Sequence, residues 1–295
     1  MSIKTPTHCH LEKLAFIEVQ GKDAQGFLHA QLGLDVMQLG HDRAPLAGWH
    51  DSKGRLRALF RILRLSGSWL LMLPANMRAG VLQGLSRYVL RADVSLSAAE
   101  SFEAVALLGA SADWSPRQSC GLADSRDATV YQNELHWISL GPELVHLVTA
   151  SGAARGLLAE LDAVPSEAAE RAEIALGLPS IEPGTADRYL PQMLNLDKLG
   201  AMSFDKGCYP GQEVIARVHH LGSVKRRMRR FAATVAVTAE PGTPVMSGEQ
   251  TAIGEVVRSA QGHAGSELLA VVPLELGDEA LFVDGSRIEA RSLPY

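Results

Sequence analysis

The chain is 295 residues long, with 28 basic and 33 acidic side chains and a net charge of −5. That length buries roughly 75% of the unfolded surface and favours two or three domains, while the charge argues against a generic polyanion binder. No apolar run approaches the roughly 18 residues of a membrane span, and the opening MSIKTPTHCHLEKL lacks the apolar core of a secretory signal. Three cysteines, Cys9, Cys120 and Cys208, stand in no CxxC-type spacing, so reduced thiols in the cytoplasm are expected, with no membrane partner.

In chain order, His8-Cys9-His10 is a chance metal-binding triplet in a terminus expected to be mobile. LAFIEVQG (14–21) reads as a strand, and Asp23 as the cap of a helix that buries Phe27, Leu28 and Leu32. Residues 46–65 read as two strands around a turn at Asp51–Gly54, followed by the strand WLLMLP. Asn76 is the expected cap of a helix through Leu90, with Val81, Leu82, Leu85 and Val89 at helical spacing, and DVSLS is a further strand. Strand-helix-strand-strand-helix-strand is the ferredoxin-like order. A second such lobe spans 102–162: FEAVALLG, the hairpin ATVYQNELHWISL, the strand LVHLVT and a helix over 151–161. Ser166 caps another helix that stops at Gly177. From Phe231 onward, short β-rich runs punctuated by Gly and Pro predict a small antiparallel barrel or sandwich, with the boundary placed between 1–230 and 231–295.

The stretch KGCYPGQEVIARVHHLG (206–222) raises the question of function. Tyr209-Pro210-Gly211-Gln212 fits a type II turn, with Pro at its second and Gly at its third position. Val214, Ile215, Val218 and Leu221 then form one helical stripe, with Gly222 as the stop. Cys208 therefore sits ahead of a helix N-terminus and two residues from Lys206, and both features favour a thiolate. A free thiol of pKa about 8.5 is about 3% ionised at pH 7, and a drop of two units makes it about three-quarters ionised. On these grounds alone a reactive sulfur and a small buried hydrophobe beside a turn remain equally open.

KGCYPGQE resembles the K-G-C-Y/F-x-G-Q-E signature of the YgfZ family, folate-binding relatives of the glycine cleavage T-protein. The resemblance runs through LPQMLNLDKLGAMSFDKGCYPGQEVIARVHHLGSVKRR (190–227), the early LEKLAFIEVQGKDAQGFLHAQLGLDV and DSKGR, and GLP at 177–179. It implies an α+β molecule of two interleaved ferredoxin-like lobes plus a C-terminal antiparallel β-barrel, around a central channel holding tetrahydrofolate or a derivative. It also implies an accessory role in iron–sulfur cluster assembly or repair, with iron–sulfur enzymes as clients and, through them, radical thiomethylation of tRNA. Carried over by position, Cys208 and Lys206 become the reactive residues. Gly207, Tyr209, Gly211, Gln212 and Glu213 become folate-side residues. Read from the residues themselves, Arg217 on the cysteine's helix is the best candidate of its basic run for an anion site, and Trp49, near the Asp51 turn, is more often a core residue than a ring that stacks on a ligand. One departure stands out. T-protein relatives often carry Arg-x-Glu-Ala-Gly before Gly-x-Pro, whereas Glu173-Ile174-Ala175-Leu176-Gly177 puts Ala175 in place of the acid, and Glu173 faces another way on a helix.

Two basic runs complete the reading. Arg217, Lys225, Arg226, Arg227, Arg229 and Arg230 come without acids or interleaved aromatics, so a solvated face is expected before an anion site or direct nucleic-acid contact. Lys53, Arg55, Arg57, Arg61 and Arg64 form the second, with Arg55, Arg57 and Arg61 on one strand face expected to meet water. Adjacent His219 and His220 make poor paired metal ligands, no resident metal is expected, and three scattered cysteines fall short of the four thiolates of an iron–sulfur cluster. The leading reading is a folate-binding accessory factor more than a turnover enzyme. The alternative is a folate-dependent aminomethyltransferase or one-carbon transferase, which needs a carboxylate from among Asp51, Glu173 and Asp187. An RNA-contacting module ranks third.

Overall fold

The computed structural model describes residues 5–150, 152–220, 222, 224–237, 239–262, 265–276 and 280–295. In chain order come β1 (Thr7–His10), β2 (Leu14–Gln20), α1 (Ala24–Gln31), β3 (Leu46–His50), β4 (Leu56–Arg64), β5 (Ser68–Pro74), α2 (Arg78–Ser86) and β6 (Ser95–Ala98). Next are β7 (Phe102–Leu108), α3 (Ser115–Cys120), β8 (Thr129–Gln132), β9 (Leu135–Gly141), β10 (Leu144–Ala150), α4 (Arg155–Leu158), β11 (Asp162–Ala163) and α5 (Glu167–Ala175). The last third holds α6 (Gln212–His220), β12 (Arg226–Ala233), β13 (Pro244–Ser247), β14 (Ala252–Gly262), β15 (Gly265–Pro273), β16 (Leu281–Val283) and β17 (Ser286–Arg291). Two interleaved units result. The first takes the chain up to Leu28, Val36–Pro45 and Phe60–Ala172, and the second takes His29–Asp35, Leu46–Leu59 and Glu173–Tyr295.

In the first unit, β4, β5, β2 and β6 lie in that order with antiparallel neighbours, and α1 and α2 occupy the two crossovers. This is the ferredoxin-like order expected from the sequence. Ile17, Val19, Leu28, Ile62, Leu70, Leu71, Val81 and Leu85 are buried there, as their period-two and helical spacings require. The second helix is shorter than the sequence pattern: α2 stops at Ser86, and Leu90 is 86% exposed.

The other sheet of this unit runs β11-β1-β7-β10-β9-β8. β7, β9 and β10 take the first three places of a second ferredoxin-like pattern, and the fourth place, beside β7, is filled by β1. The terminus read as mobile is thus a paired strand, with Cys9 opposite Ala106 and only 4% exposed. Asn133 and Glu134 both have positive φ between β8 and β9, the backbone a two-residue hairpin requires. Trp114, just ahead of α3, packs on Trp137 of β9 with ring centroids 6.2 Å apart. Only Arg155–Leu158 is helical within 152–161, and Ser151 of that expected helix lies outside the described residues.

One basic side chain expected at the surface lies in this core. Arg61 is 6% exposed because its guanidinium donates to Asp127 Oδ1 at 2.6 Å and to the Ala44 carbonyl. Asp127 is itself 2% exposed, so the strand-face argument fails where a buried carboxylate waits for the cation.

In the second unit, β3 neighbours β4 across the Asp51–Arg55 turn, and a closed barrel runs β12-β15-β14-β13-β16-β17, with β17 returning to β12. Phe231, Val245, Val256, Leu268, Ala270, Val272 and Ile288 fill its interior. The basic run 226–230 is the first half of β12. Arg227 pairs with Asp197 (2.7 Å), Arg230 with Glu267 (2.9 Å), and Arg229 donates to the Leu274 carbonyl.

Candidate functional site

The signature stretch folds as a turn followed by a helix, all within the second unit. Gln212 N donates to the Tyr209 carbonyl at 3.2 Å, closing the expected turn, and Gly211 holds φ +80°. Only glycine suits that conformation without strain. A Cβ there would lie 2.5 Å from the Asp51 carbonyl oxygen and from Gly54 Cα. The signature turn is therefore pressed backbone to backbone against the Asp51–Gly54 turn. Asp51 shapes that second turn, its Oδ1 accepting the amides of Lys53 and Arg55 at 2.8 Å each.

α6 follows, with Ile215 fully buried, Val214 and Val218 half-buried, and Leu221 of the expected stripe outside the described residues. The helix is held from behind. Buried Gln192 donates to the Ile215 carbonyl at 2.9 Å, while its own carbonyl accepts Arg227 Nη1 at 2.9 Å. Gln192 thus ties α6 to β12, and Arg227 also forms a two-pronged pair with Asp197.

Burial alternates sharply along the signature. Lys206 and Tyr209 are buried, whereas Gly207 and Cys208 between them are exposed, as are Glu213 and Arg217 on α6. Cys208 is the exposed thiol; Cys9 and Cys120 are buried in the first unit, and burial pushes the Cys120 thiol up. Gln212 is half-buried, its side chain reaching the Lys206 carbonyl at 3.4 Å. The charge of Lys206 is met by backbone carbonyls. Its ammonium donates to the carbonyls of His29, Leu32 (2.6 Å) and Leu34 (3.0 Å), with the Tyr209 ring centroid 4.9 Å away. Burial pushes this ammonium down to about 8, opposed by Asp35. Burial likewise pushes the Tyr209 phenol up to about 12.

Three residues not singled out by any motif complete the cluster: His29, Asp35 and His50. His29 Nδ1 is 3.2 Å from Asp35 Oδ1. The His50 ring lies 5.8 Å from that of Tyr209 and is 2% exposed, with neither ring nitrogen partnered among the described residues. Gly33 and Gly48 leave room for it, since a Cβ on either would come within 2.8 Å of the imidazole. Nothing local in WHDSKG marks His50 as buried, and β3 gives no alternation to read, since it is buried without a break from Ala47 to His50. Trp49 is 5% exposed, its indole N–H without a partner among the described residues and the Arg57 guanidinium over its ring at 5.3 Å. The carboxylates a transferase would need are engaged. Glu173 pairs with Arg258 at 2.7 Å, Asp187 lies 3.6 Å from Arg57, and Asp51 serves its turn.

His50 gives the unit an acid limit. Burial pushes it down to about 3, Asp51 opposing and Lys206 reinforcing, against an ordinary 6.5. Below pH 6.5 the unfolded chain takes up the proton and the folded chain refuses it, so stability falls as pH drops until about 3. By pH 4.5 the loss attributable to this one side chain is about 3 kcal/mol. In urea unfolding at pH 7 and pH 4.5, His50→Asn is expected to lose correspondingly less than the unchanged protein. An equal acid slope in both would remove His50 as the cause.

No family model matches the chain. It is 27% identical to the tRNA-modifying protein YgfZ of Klebsiella pneumoniae, over 97% of this chain and 91% of that one. To the tRNA-modifying protein YgfZ of Colwellia psychrerythraea it is 29% identical over 74% and 69%, and to that of Edwardsiella ictaluri 30% over 72% and 66%. Among solved structures, the glycine cleavage system aminomethyltransferase T from Bartonella henselae superposes with a TM-score of 0.75, covering 99% of this chain and 87% of that one. Its 16% identity makes this a likeness of fold. With tRNA-modifying relatives matched along most of its length and that fold beneath it, the chain belongs to the YgfZ family.

Proposed function

We propose that this protein is a tRNA-modification factor that binds tetrahydrofolate or a derivative and presents Cys208 to iron–sulfur enzymes in the cytoplasm, supporting the assembly or repair of their clusters and so radical thiomethylation of tRNA. The observation that carries this reading is the exposure of Cys208 in a turn whose flanking residues, Lys206 and Tyr209, are both buried. A sulfur kept only as packing would lie inside, as Cys9 and Cys120 do. A cluster handled here would draw its remaining ligands from a client, since the other two thiols are buried in the first unit.

The second unit supplies groups of the kind a folate requires. Among the described residues the indole N–H of Trp49 is a buried donor without a partner, and Arg217 on α6 is an exposed cation of the kind a glutamate tail would meet. Gly207, Gly211, Gln212 and Glu213 belong to the turn and the start of α6 that carry Cys208, which is what supports a folate-side role for them. When bound, the folate supplies a one-carbon carrier; the chain's own contribution is to hold it beside the sulfur. The transferase alternative is weakened because Asp51, Glu173 and Asp187 already have partners, and Ala175 cannot replace the acid. The RNA-contact reading is weakened because Arg61, Arg227, Arg229 and Arg230 are likewise engaged. Among the described residues no helix is long and apolar enough to cross a membrane.

The test is complementation. In cells lacking their own factor, Cys208→Ala is expected to abolish recovery of thiomethylated tRNA while the protein accumulates normally. Full recovery would end the functional reading of this sulfur. Titration of the purified protein with tetrahydrofolate checks the ligand separately, and no binding at millimolar concentration would count against it.

A further inference from the structure

Lys206 is set two residues before the exposed sulfur, yet its ammonium faces away from solvent and into the 29–35 segment. An ammonium has three protons, and here each has a carbonyl: His29, Leu32 and Leu34. The Tyr209 ring covers a further side at 4.9 Å. No proton is left to donate to a ligand or to the cysteine. The acceptors are informative too. His29 lies in the last turn of α1, where helix carbonyls lack internal partners and the helix end carries partial negative charge, so a buried cation caps it. The same segment meets the signature again at Gly207, where an added Cβ would lie 3.7 Å from His29 Nε2, and Ser203 N donates to the Gly33 carbonyl at 2.9 Å.

We propose that Lys206 is a positioning residue: by satisfying the carbonyls of His29, Leu32 and Leu34 at one point, it fixes the orientation in which the signature turn holds the sulfur of Cys208. This rests on the reading of Cys208 as the working sulfur. The charge of Lys206 serves the segment, and the geometry of that segment serves the cysteine. Arginine cannot replace it, because a planar fork spreads its donors along separate lines, whereas these carbonyls converge on a single nitrogen.

The experiment compares Lys206→Met, Lys206→Arg and Lys206→Gln with the unchanged protein, using amide hydrogen exchange and iodoacetamide alkylation read by mass spectrometry. Buried Cys9 and Cys120 serve as internal controls for general unfolding. Met and Arg are both expected to raise exchange in residues 29–35 at least tenfold and to change the alkylation rate of Cys208 at least fivefold. The pH of half-maximal alkylation should stay where it is in the unchanged protein. Gln, which keeps two donors, should fall between, and it carries the test should Met fail to fold. Unchanged exchange in 29–35 would overturn the proposal. So would a Lys206→Arg protein that behaves as unchanged beside a Lys206→Met protein whose alkylation midpoint moves up by a unit, since that pattern assigns Lys206 an electrostatic role. Full complementation by Cys208→Ala would remove the role of the sulfur while leaving the exchange and alkylation results standing, so the two readings fail separately.

Discussion

Gly211→Ala is expected to destabilise the protein by roughly 3–5 kcal/mol and to abolish complementation, although no functional group is removed. Two costs combine. Alanine at φ +80° carries the left-handed strain of an L-residue, about 1–2 kcal/mol. Its methyl would also sit 2.5 Å from the Asp51 carbonyl oxygen and Gly54 Cα and 2.6 Å from Gly54 N, all backbone atoms that cannot swing aside. The signature turn would have to lift from its neighbour, carrying Cys208 with it. Gly200→Ala separates the costs, because Gly200 also has positive φ (+67°) but no atom within 4 Å of an added Cβ. Urea unfolding should show a loss of about 1 kcal/mol there. Equal losses at the two sites would show that the close approach of the turns contributes nothing.

Asp127→Asn should be comparably costly in the first unit. The substitution keeps the shape of the side chain, and asparagine tolerates the φ of +67°, so the backbone is not at issue. What it removes is the charge facing Arg61 in a place where both side chains are under a tenth exposed. Arg43, half-exposed and 3.9 Å from the other carboxylate oxygen, is a second cation on the same carboxylate and cannot neutralise the stranded guanidinium. An uncompensated buried guanidinium costs about 3–5 kcal/mol, which lowers Tm by roughly 6–20 °C in a chain of this size. The double change Arg61→Met with Asp127→Asn should recover part of the loss, because the stranded charge goes with it. A single-variant loss below about 1 kcal/mol would mean that water reaches the pair.

What the sequence disclosed follows the range of the interactions involved. The turn at Tyr209–Gln212, the helix after it, the hairpins and the barrel strands are written in neighbouring residues, through Pro and Gly chemistry and period-two or helical spacing. β1 was not legible, because THCH is a strand only by virtue of pairing with β7, nearly a hundred residues on. α3, in SPRQSC, has no apolar stripe to betray it. Around the signature, the exposure of Cys208 and the constraint on Gly211 could be anticipated from the motif. The partners of Lys206 could not, since they lie 172–177 residues away in the chain. The burial of Arg61 is hidden from strand alternation for the same reason: its carboxylate is 66 residues distant.

The interleaving of the two units has a bearing on how the molecule is made. Segments His29–Asp35 and Leu46–Leu59 leave the ribosome early, but the signature that packs on them is translated roughly 150 residues later, on the order of 7–30 s at bacterial rates. Meanwhile the intervening stretch can complete the first unit, leaving two unfinished pieces of the second dangling with uncapped carbonyls and bare apolar side chains. A nascent chain in that condition is a natural client for holdase chaperones, and a fragment ending at Ala172 would be sticky however well its own sheets had formed.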